Sequence, residues 1–329
     1  MSKAHVVVTF SPSPAMRDAF VEALDAVATI THLPDVEHGE RARALQSADA
    51  VLAWSIGGEL PGPEGPALLA SASLVQLLSA GVDHIPFDSL PEGVPVASNA
   101  GAYAEPMAEH VLAMALALAK RLPQSHAAMR RGEFDQETHN RSIHGSLVGV
   151  LGFGGIGQAS AKLFRALGAR IHALNRSGHT DQPVDHIGTL GDLDTVLTTA
   201  DVLVVSLPLT RATRGLIGQR ELGLMKPDAI LVNVARAAIV DEDALYEHLR
   251  RNPSFSAGID AWWQEPRGRG AFVTRRPFLD LPNVLGSPHN SAITADSLAA
   301  AARQAAENVA RHLRGDPAHH LVDRSDYVG

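Results

Sequence analysis

The chain has 329 residues, too long for one ordinary compact domain and suited to two. Apolar residues make up 45% and charged residues 19%, which supplies buried cores and excludes a globally disordered chain. A formal net charge of -8 with no long basic run argues against nucleic acid or an anionic membrane as partner, and the absence of cysteine excludes disulfide scaffolds and thiolate metal sites.

In chain order, Val6–Phe10 reads as the first buried strand. It is too short for the apolar region of a signal peptide, and Val111–Ala119 falls well short of the ~20 residues that span a bilayer. The expectation is a soluble, cytoplasmic protein. Pro14–Asp25 has helical spacing, and Ala50–Trp54 and Leu74–Leu78 read as strands. Ala104–Arg121 is a helix apolar nearly all round, which must be buried, between domains or in a subunit interface.

From Val148 a regular series follows. Strands Val148–Phe153, Arg170–Asn175, Val202–Leu207, Ile230–Val234 and Ser256–Ile259 alternate with helices Ile156–Leu167, Asp192–Thr199 and Asp241–Arg251. A last helix covers Thr294–Leu313. Such alternation predicts an α/β protein with two doubly wound parallel-sheet domains. The first is placed at 1–101 and completed by 294–329, the second at 102–293. The cleft between them is the expected site.

Gly152, Gly154 and Gly157 form the pattern G-x-G-x-x-G. It follows a predicted strand and opens a helix. In that context a turn without side chains lets a pyrophosphate approach N–H groups at the positive end of a helix dipole. The next strand ends at Asn175-Arg176-Ser177, where a fold that prefers NAD carries an acidic residue for the ribose 2′-hydroxyl. A carboxylate would repel a 2′-phosphate, whereas Arg176 and Ser177 can bond to one. NADP(H) is therefore expected over NAD(H), the alternative being a solvent-facing Arg176 and dual specificity.

Three later segments each carry a polar residue just past a strand: Arg236, Glu265 and His289. Reduction of a 2-oxo acid calls for these residue types. Histidine can give the carbonyl oxygen its proton near neutrality. A glutamate on the other ring nitrogen fixes the imidazole, and an arginine clamps the carboxylate and polarises the carbonyl. Spacing alone does not show that the three meet, and each taken singly is as readily a surface residue.

With these residues in order, the chain resembles the D-isomer-specific 2-hydroxyacid dehydrogenase family over nearly its whole length. The family's markers run Ser79-Ala80-Gly81-Val82-Asp83, Asn99-Ala100-Gly101 and Ala108-Glu109-His110, then the glycine loop, then Ser206-Leu207-Pro208-Leu209-Thr210 with Thr213. Val234-Ala235-Arg236, Asp260 with Glu265-Pro266, and Ser287-Pro288-His289 complete them. The resemblance implies a Rossmann-type nucleotide domain inserted in a flavodoxin-like substrate domain, and a homodimer through the nucleotide domains. It implies that Arg236 binds and polarises the substrate while Glu265 holds His289, the acid/base.

It further implies that Gly155 and Ile156 meet the pyrophosphate and Asp260 the nicotinamide carboxamide. Leu207, Pro208, Thr213, Val234 and Ala235 would line the nucleotide, and the N–H groups of Ala80 and Gly81 would grip the substrate carboxylate. Met107 is expected at the nicotinamide and Trp54 at the substrate. The substrate implied is a small 2-oxo or 2-hydroxy acid of the glyoxylate or hydroxypyruvate kind, and no metal is called for. Formate, phosphite or a phosphonate are the alternatives within the fold, and a non-catalytic nucleotide-sensing corepressor is the alternative outside catalysis.

Two segments depart from the family pattern. The loop from Arg267 to Arg276 is longer and more basic, so Arg267, Arg269, Arg275 or Arg276 could favour a dianionic substrate, against a solvated surface loop. Trp262 and Trp263 could narrow the pocket or simply pack against the nucleotide domain.

Overall fold

The computed structural model describes residues 3–62, 64–266 and 270–327. The chain divides into two compact units, Met1–Tyr103 with Thr294–Gly329, and Ala104–Ile293. The first begins with strands β1 (Ala4–Val8), β2 (Ala28–His32), β3 (Ala50–Ala53), β4 (Leu74–Leu77) and β5 (Val96–Ala97), and helices α1 (Pro14–Leu24), α2 (Arg41–Gln46) and α3 (Ile56–Glu59). All neighbouring strands are parallel, in the order β2-β1-β3-β4-β5.

The second unit holds helices α4 (Ala104–Ala119), α5 (Leu122–Arg130), α6 (Gly155–Ala166), α7 (Leu193–Thr199), α8 (Gln219–Leu224) and α9 (Glu242–Arg251). Its strands are β6 (Leu147–Leu151), β7 (Arg170–Leu174), β8 (His186–Gly188), β9 (Val202–Val205), β10 (Ile230–Asn233), β11 (Ser256–Ile259) and β12 (Val284–Gly286). Helix α10 (Ser297–Leu313) then returns to the first unit.

The central strands are apolar without alternation because both their faces are covered. In the first unit Val6, Val8, Leu52 and Leu74 pack with Phe20 and Leu24 of α1 and with Ala302, Ala306 and Val309 of α10. Val7, Val51 and Val75 face the other way, onto Leu33, Leu45 and Leu69. Helix α1 starts where it does because Ser13 caps it and Pro14 presets the first turn.

The second sheet is also parallel, ordered β12-β11-β10-β9-β6-β7-β8. Its order reverses beside β6, so the carboxyl ends of β6, β9, β10, β11 and β12 open on one edge of the sheet, where ligands bind such folds. Helix α4 is buried along one side within its own unit. Met107, Ala108, Val111, Met114, Ala115 and Leu118 are buried. The helix packs on α6 and on β10 to β12 of its own unit. Leu112 and Leu116 are only half-buried and Ala113 is exposed. Among the described residues no helix is long and apolar enough to cross a membrane.

Candidate active site

The turn after β6 is shaped by close backbone approach. Gly152 has φ of 95°, and a Cβ there would lie 2.7 Å from the Leu207 nitrogen and the Ser206 oxygen. A Cβ on Gly157 would lie 2.1 Å from the Gly152 carbonyl oxygen. Ser206 Oγ donates to that same carbonyl at 2.8 Å. Gly154 differs: nothing lies within 4 Å of where its Cβ would be. Gly154 and Gly155 are exposed, and no side chain caps the first turn of α6. Uncapped N–H groups and a cradle without side chains at the start of a twelve-residue helix suit an anion such as a pyrophosphate.

Past β7 the structure divides the three candidate residues. Asn175 is spent on the turn itself: its Nδ2 donates to the His179 carbonyl at 2.8 Å and its Oδ1 accepts from the Gly178 N–H at 2.7 Å. Arg176 and Ser177 stand exposed on that turn. Past β9, Leu207 is half-buried and Pro208 exposed, while the Thr213 hydroxyl is turned inward, donating to the Pro208 carbonyl at 2.6 Å and accepting from the Thr210 N–H at 2.8 Å. Thr213 thus holds the loop rather than presenting its own oxygen. Ile156 is half-buried, whereas Val234, Ala235 and Met107 are buried.

The acid/base candidates do meet. Both carboxylate oxygens of Glu265 lie on Nδ1 of His289, at 2.8 and 2.9 Å. Burial alone would raise the Glu265 carboxyl. The hydrogen bonds from His289 and from the Trp262 N–H, with the charges of His289 and Arg236, outweigh it and hold the group below the ordinary carboxylate range. Arg236 leaves the end of β10 from a turn that Asn233 braces, accepting from the Ala235 N–H at 3.0 Å and donating to the Arg236 carbonyl at 3.0 Å. His289 sits at φ of 50°, a left-handed conformation unusual for a residue with a Cβ.

Asp260, Trp262 and Trp263 build the frame around this pair. Asp260 is fully buried, its oxygens accepting from Ser287 Oγ at 2.5 Å and from the Asn290 and Ser291 N–H groups at 3.2 and 3.3 Å. Trp262 donates its indole N–H to the Ser287 carbonyl at 2.8 Å, and its own backbone N–H meets Glu265 at 2.9 Å. Trp263 stacks on Phe278 at 5.2 Å and bonds to the Val240 carbonyl at 2.9 Å. Both indoles pack within their unit, Trp262 buried and Trp263 half-buried.

In the first unit the loop after β4 presents Ala80 and Gly81, half-buried, with no protein acceptor for either N–H among the described residues. Trp54 follows β3, edge-on to Phe10 at 5.9 Å. Its turn is anchored by Glu59, which accepts from the Trp54 and Ser55 N–H groups at 3.1 and 2.6 Å and from Thr9 Oγ1 at 2.5 Å.

Residues 112–291 match the family model described as D-isomer specific 2-hydroxyacid dehydrogenase, NAD binding domain. The chain belongs to the D-isomer-specific 2-hydroxyacid dehydrogenases. It is 33% identical over 313 residues to a glyoxylate/hydroxypyruvate reductase B of Pectobacterium carotovorum, covering 91% of this chain and 93% of that protein. A D-3-phosphoglycerate dehydrogenase of Methanocaldococcus jannaschii is also 33% identical over 248 residues, 74% of this chain, and there the match spans only 46% of the relative's length. Among solved structures, one from Pyrobaculum aerophilum named as a candidate formate dehydrogenase superposes with a TM-score of 0.83 at 30% identity, covering 99% of this chain and 100% of that one. A family member from Xanthobacter autotrophicus Py2, in complex with NADPH and MES, gives 0.80 at 27% identity with both chains fully covered, 100% and 100%.

For this dehydrogenase the glycine cradle fits a nicotinamide dinucleotide. Among the described residues no group of three or more His, Asp or Glu side chains could hold a metal ion. The two described arginines of the basic loop follow the surface-loop alternative. Arg275 pairs with Glu242 and Asp243, both at 2.9 Å, and Arg276 with Asp243 at 2.7 Å, so these two arginines are held at the start of α9. Arg267 and Arg269 lie outside the described residues. Sequence reasoning missed Asn233, Glu59, and the frame roles of Ser287 and Trp262. A buried Asn closing an apolar strand was the one signal on offer.

Proposed function

We propose that this dehydrogenase interconverts a small 2-oxo acid of the glyoxylate or hydroxypyruvate class and its D-2-hydroxy acid, with NADP(H) preferred over NAD(H). The contact of Glu265 with His289 Nδ1 carries the reading. With Nδ1 held, Nε2 is the nitrogen left to meet a substrate. In reduction His289 gives its proton to the carbonyl oxygen at C2, and in oxidation it takes the proton back from the hydroxyl. Arg236 binds the acid and draws charge from the carbonyl oxygen, while Ala80 and Gly81 offer N–H donors to a carboxylate. Bound NADPH supplies the hydride. Asp260, being enclosed, serves first to hold the His289 loop. Exposed Arg176 and Ser177, with no carboxylate among residues 175–177 to repel a 2′-phosphate, support the cofactor preference.

A homodimer is part of this reading. Helix α5 has no buried residue, and Leu122, Met129 and Phe134 are 56%, 56% and 73% exposed. Such apolar surface calls for a partner, and a second copy suits it; sedimentation showing only monomer would remove it.

The test is oxidation of NADPH and of NADH by purified protein with glyoxylate, hydroxypyruvate, pyruvate, phenylpyruvate and oxaloacetate, and reduction of both oxidised cofactors with formate. Turnover of a 2-oxo acid, faster with NADPH, supports the reading. Formate turnover without any 2-oxo acid turnover would replace the substrate class, and faster turnover with NADH would overturn the cofactor preference.

A further inference from the structure

His110 and Ser287 take no part in the chemistry above, yet both are bonded to its frame. Ser287 Oγ donates its one hydrogen to Asp260 Oδ1 at 2.5 Å. His110 Nε2 lies 2.9 Å from the same Ser287 Oγ. With its hydrogen spent on Asp260, the serine oxygen has only lone pairs to offer, so the imidazole must donate: Nε2 of His110 carries a proton. His110 comes from α4, Ser287 follows β12, and Asp260 follows β11. Three elements far apart in sequence are therefore tied at one hydroxyl.

The hydroxyl lies two residues before His289. The His289 N–H donates to the Asp260 carbonyl at 2.9 Å, and the next two N–H groups donate to the Asp260 carboxylate. The segment from Ser287 to Ser291 is thus folded around one enclosed carboxylate, with His289 at its crest in a left-handed conformation. A residue with a Cβ stays in that conformation only where its surroundings over-determine it. Helix α4 joins this frame through His110, whose Nε2 also stands 3.8 Å from Asp260 Oδ1.

We propose that His110 is a positioning residue for the dehydrogenase reaction. Through Ser287 and Asp260 it fixes the loop that sets the angle of the His289 ring against Glu265. This rests on the reading of His289 as the acid/base. A small rotation of the loop would leave cofactor and substrate binding in place and spoil the line between Nε2 and the carbonyl oxygen. The loss would then fall on kcat.

The experiment uses the full chain and the variants His110→Leu, His110→Gln, Ser287→Ala and the double variant His110→Leu with Ser287→Ala. Kinetics are read with the best 2-oxo acid, NADPH affinity by fluorescence titration, and ring nitrogens by NMR of protein labelled with 15N-histidine. His110→Leu should lower kcat by about 10- to 100-fold, as sub-ångström to ångström misplacement does, with KM and NADPH affinity little changed. His110→Gln, which keeps an N–H donor at a similar reach, should recover most of it. The double variant should lose no more than the worse single one.

The NMR arm needs no turnover, and so separates a failed relay from a failed functional reading. In unliganded protein the resonance lost in both His110 variants should show an Nε2-protonated ring, and the one lost in His289→Ala should shift in Ser287→Ala. An Nδ1-protonated His110, an unmoved His289 resonance, additive losses in the double variant, or a glutamine no better than leucine would each overturn the proposal.

Discussion

Two turns on the same edge of the second sheet are built by opposite means. The one after β6 is made by leaving atoms out: Gly152 and Gly157 let backbone meet backbone, and Gly154 leaves a space. The pair after β11 and β12 is made by putting atoms in: Asp260, Trp262, Glu265, Ser287 and His289 hold one another by side-chain hydrogen bonds. The first should be intolerant of a single added methyl group and indifferent to polarity. The second should tolerate changes of volume and fail when one polar partner is removed.

The largest effect expected tests the first half. In Gly157→Ala the new Cβ would stand 2.1 Å from a backbone oxygen, which no side-chain motion relieves. The start of α6 must shift, at a cost of about 1–3 kcal/mol or more by analogy with overpacked cores. Thermal melting should fall and NADPH binding should be lost. Gly154→Ala is the sharper control, because Gly154 has an ordinary φ of -87° and free space for a methyl. That variant should melt like the parent and still bind NADPH more weakly. Unchanged affinity would mean that the cradle does not hold the pyrophosphate.

Next come the polar turns. His289→Ala should lower kcat by about 10²- to 10⁴-fold while NADPH affinity stays nearly constant. A matched loss of affinity would make His289 a structural residue. Glu265→Gln should cost less and change the pH dependence. Stability follows with a defined sign. The Glu265 carboxyl is held low in the folded chain, so its contribution is present above the ordinary carboxylate pKa and is lost as pH falls through the depressed value. At 39% exposure that contribution is screened and small. The urea midpoints of parent and Glu265→Gln should converge on acidification.

The same contrast explains what could be read from sequence. The glycine turn is local: strand, pattern and helix lie within a few residues of one another, and the glycines announce a steric need. The central strands were legible because burial on both faces leaves unbroken apolar runs. The edge strands were not. β5 is two residues long, β8 and β12 are three, and β2 alternates Ala, Thr, Ile, Thr and His on a half-exposed edge.

In the candidate site, residue types were legible and partners were not. Nothing within the Asn175 turn says that its amide will be consumed by Gly178 and His179, or that the Thr213 hydroxyl will face inward. Asp260 reads as a ligand-facing residue past a strand, and only the packing of β11 against β12 encloses it. Sequence can propose a His, a Glu and an Arg, but the bidentate contact that couples two of them spans 24 residues and depends on the register of two strands.

A smaller effect is expected at the edge of the glycine turn's own neighbourhood. Arg176→Ala should weaken NADPH by about tenfold or more, the scale of one charge-assisted phosphate bond, and leave NADH nearly unchanged. Asn175→Ala should weaken both cofactors alike, because its amide braces the turn through Gly178 and His179. Equal losses in Arg176→Ala would return the chain to dual specificity.

The smallest effect is expected where sequence suggested a specificity element. Arg275 is exposed and Arg276 half-buried, and the carboxylates of Glu242 and Asp243 already engage them. The Asp243 carboxyl is held below its ordinary range by its hydrogen bonds to those two arginines. To reach a dianionic substrate Arg275 would have to leave two acids at the positive end of α9, and Arg276 one, trading an existing partner for a new one. The double variant Arg275→Ala with Arg276→Ala should therefore leave the KM values of pyruvate and oxaloacetate in the same ratio, with a change in melting temperature too small to matter. A selective rise in KM for oxaloacetate would show that the pair exchanges partners on binding.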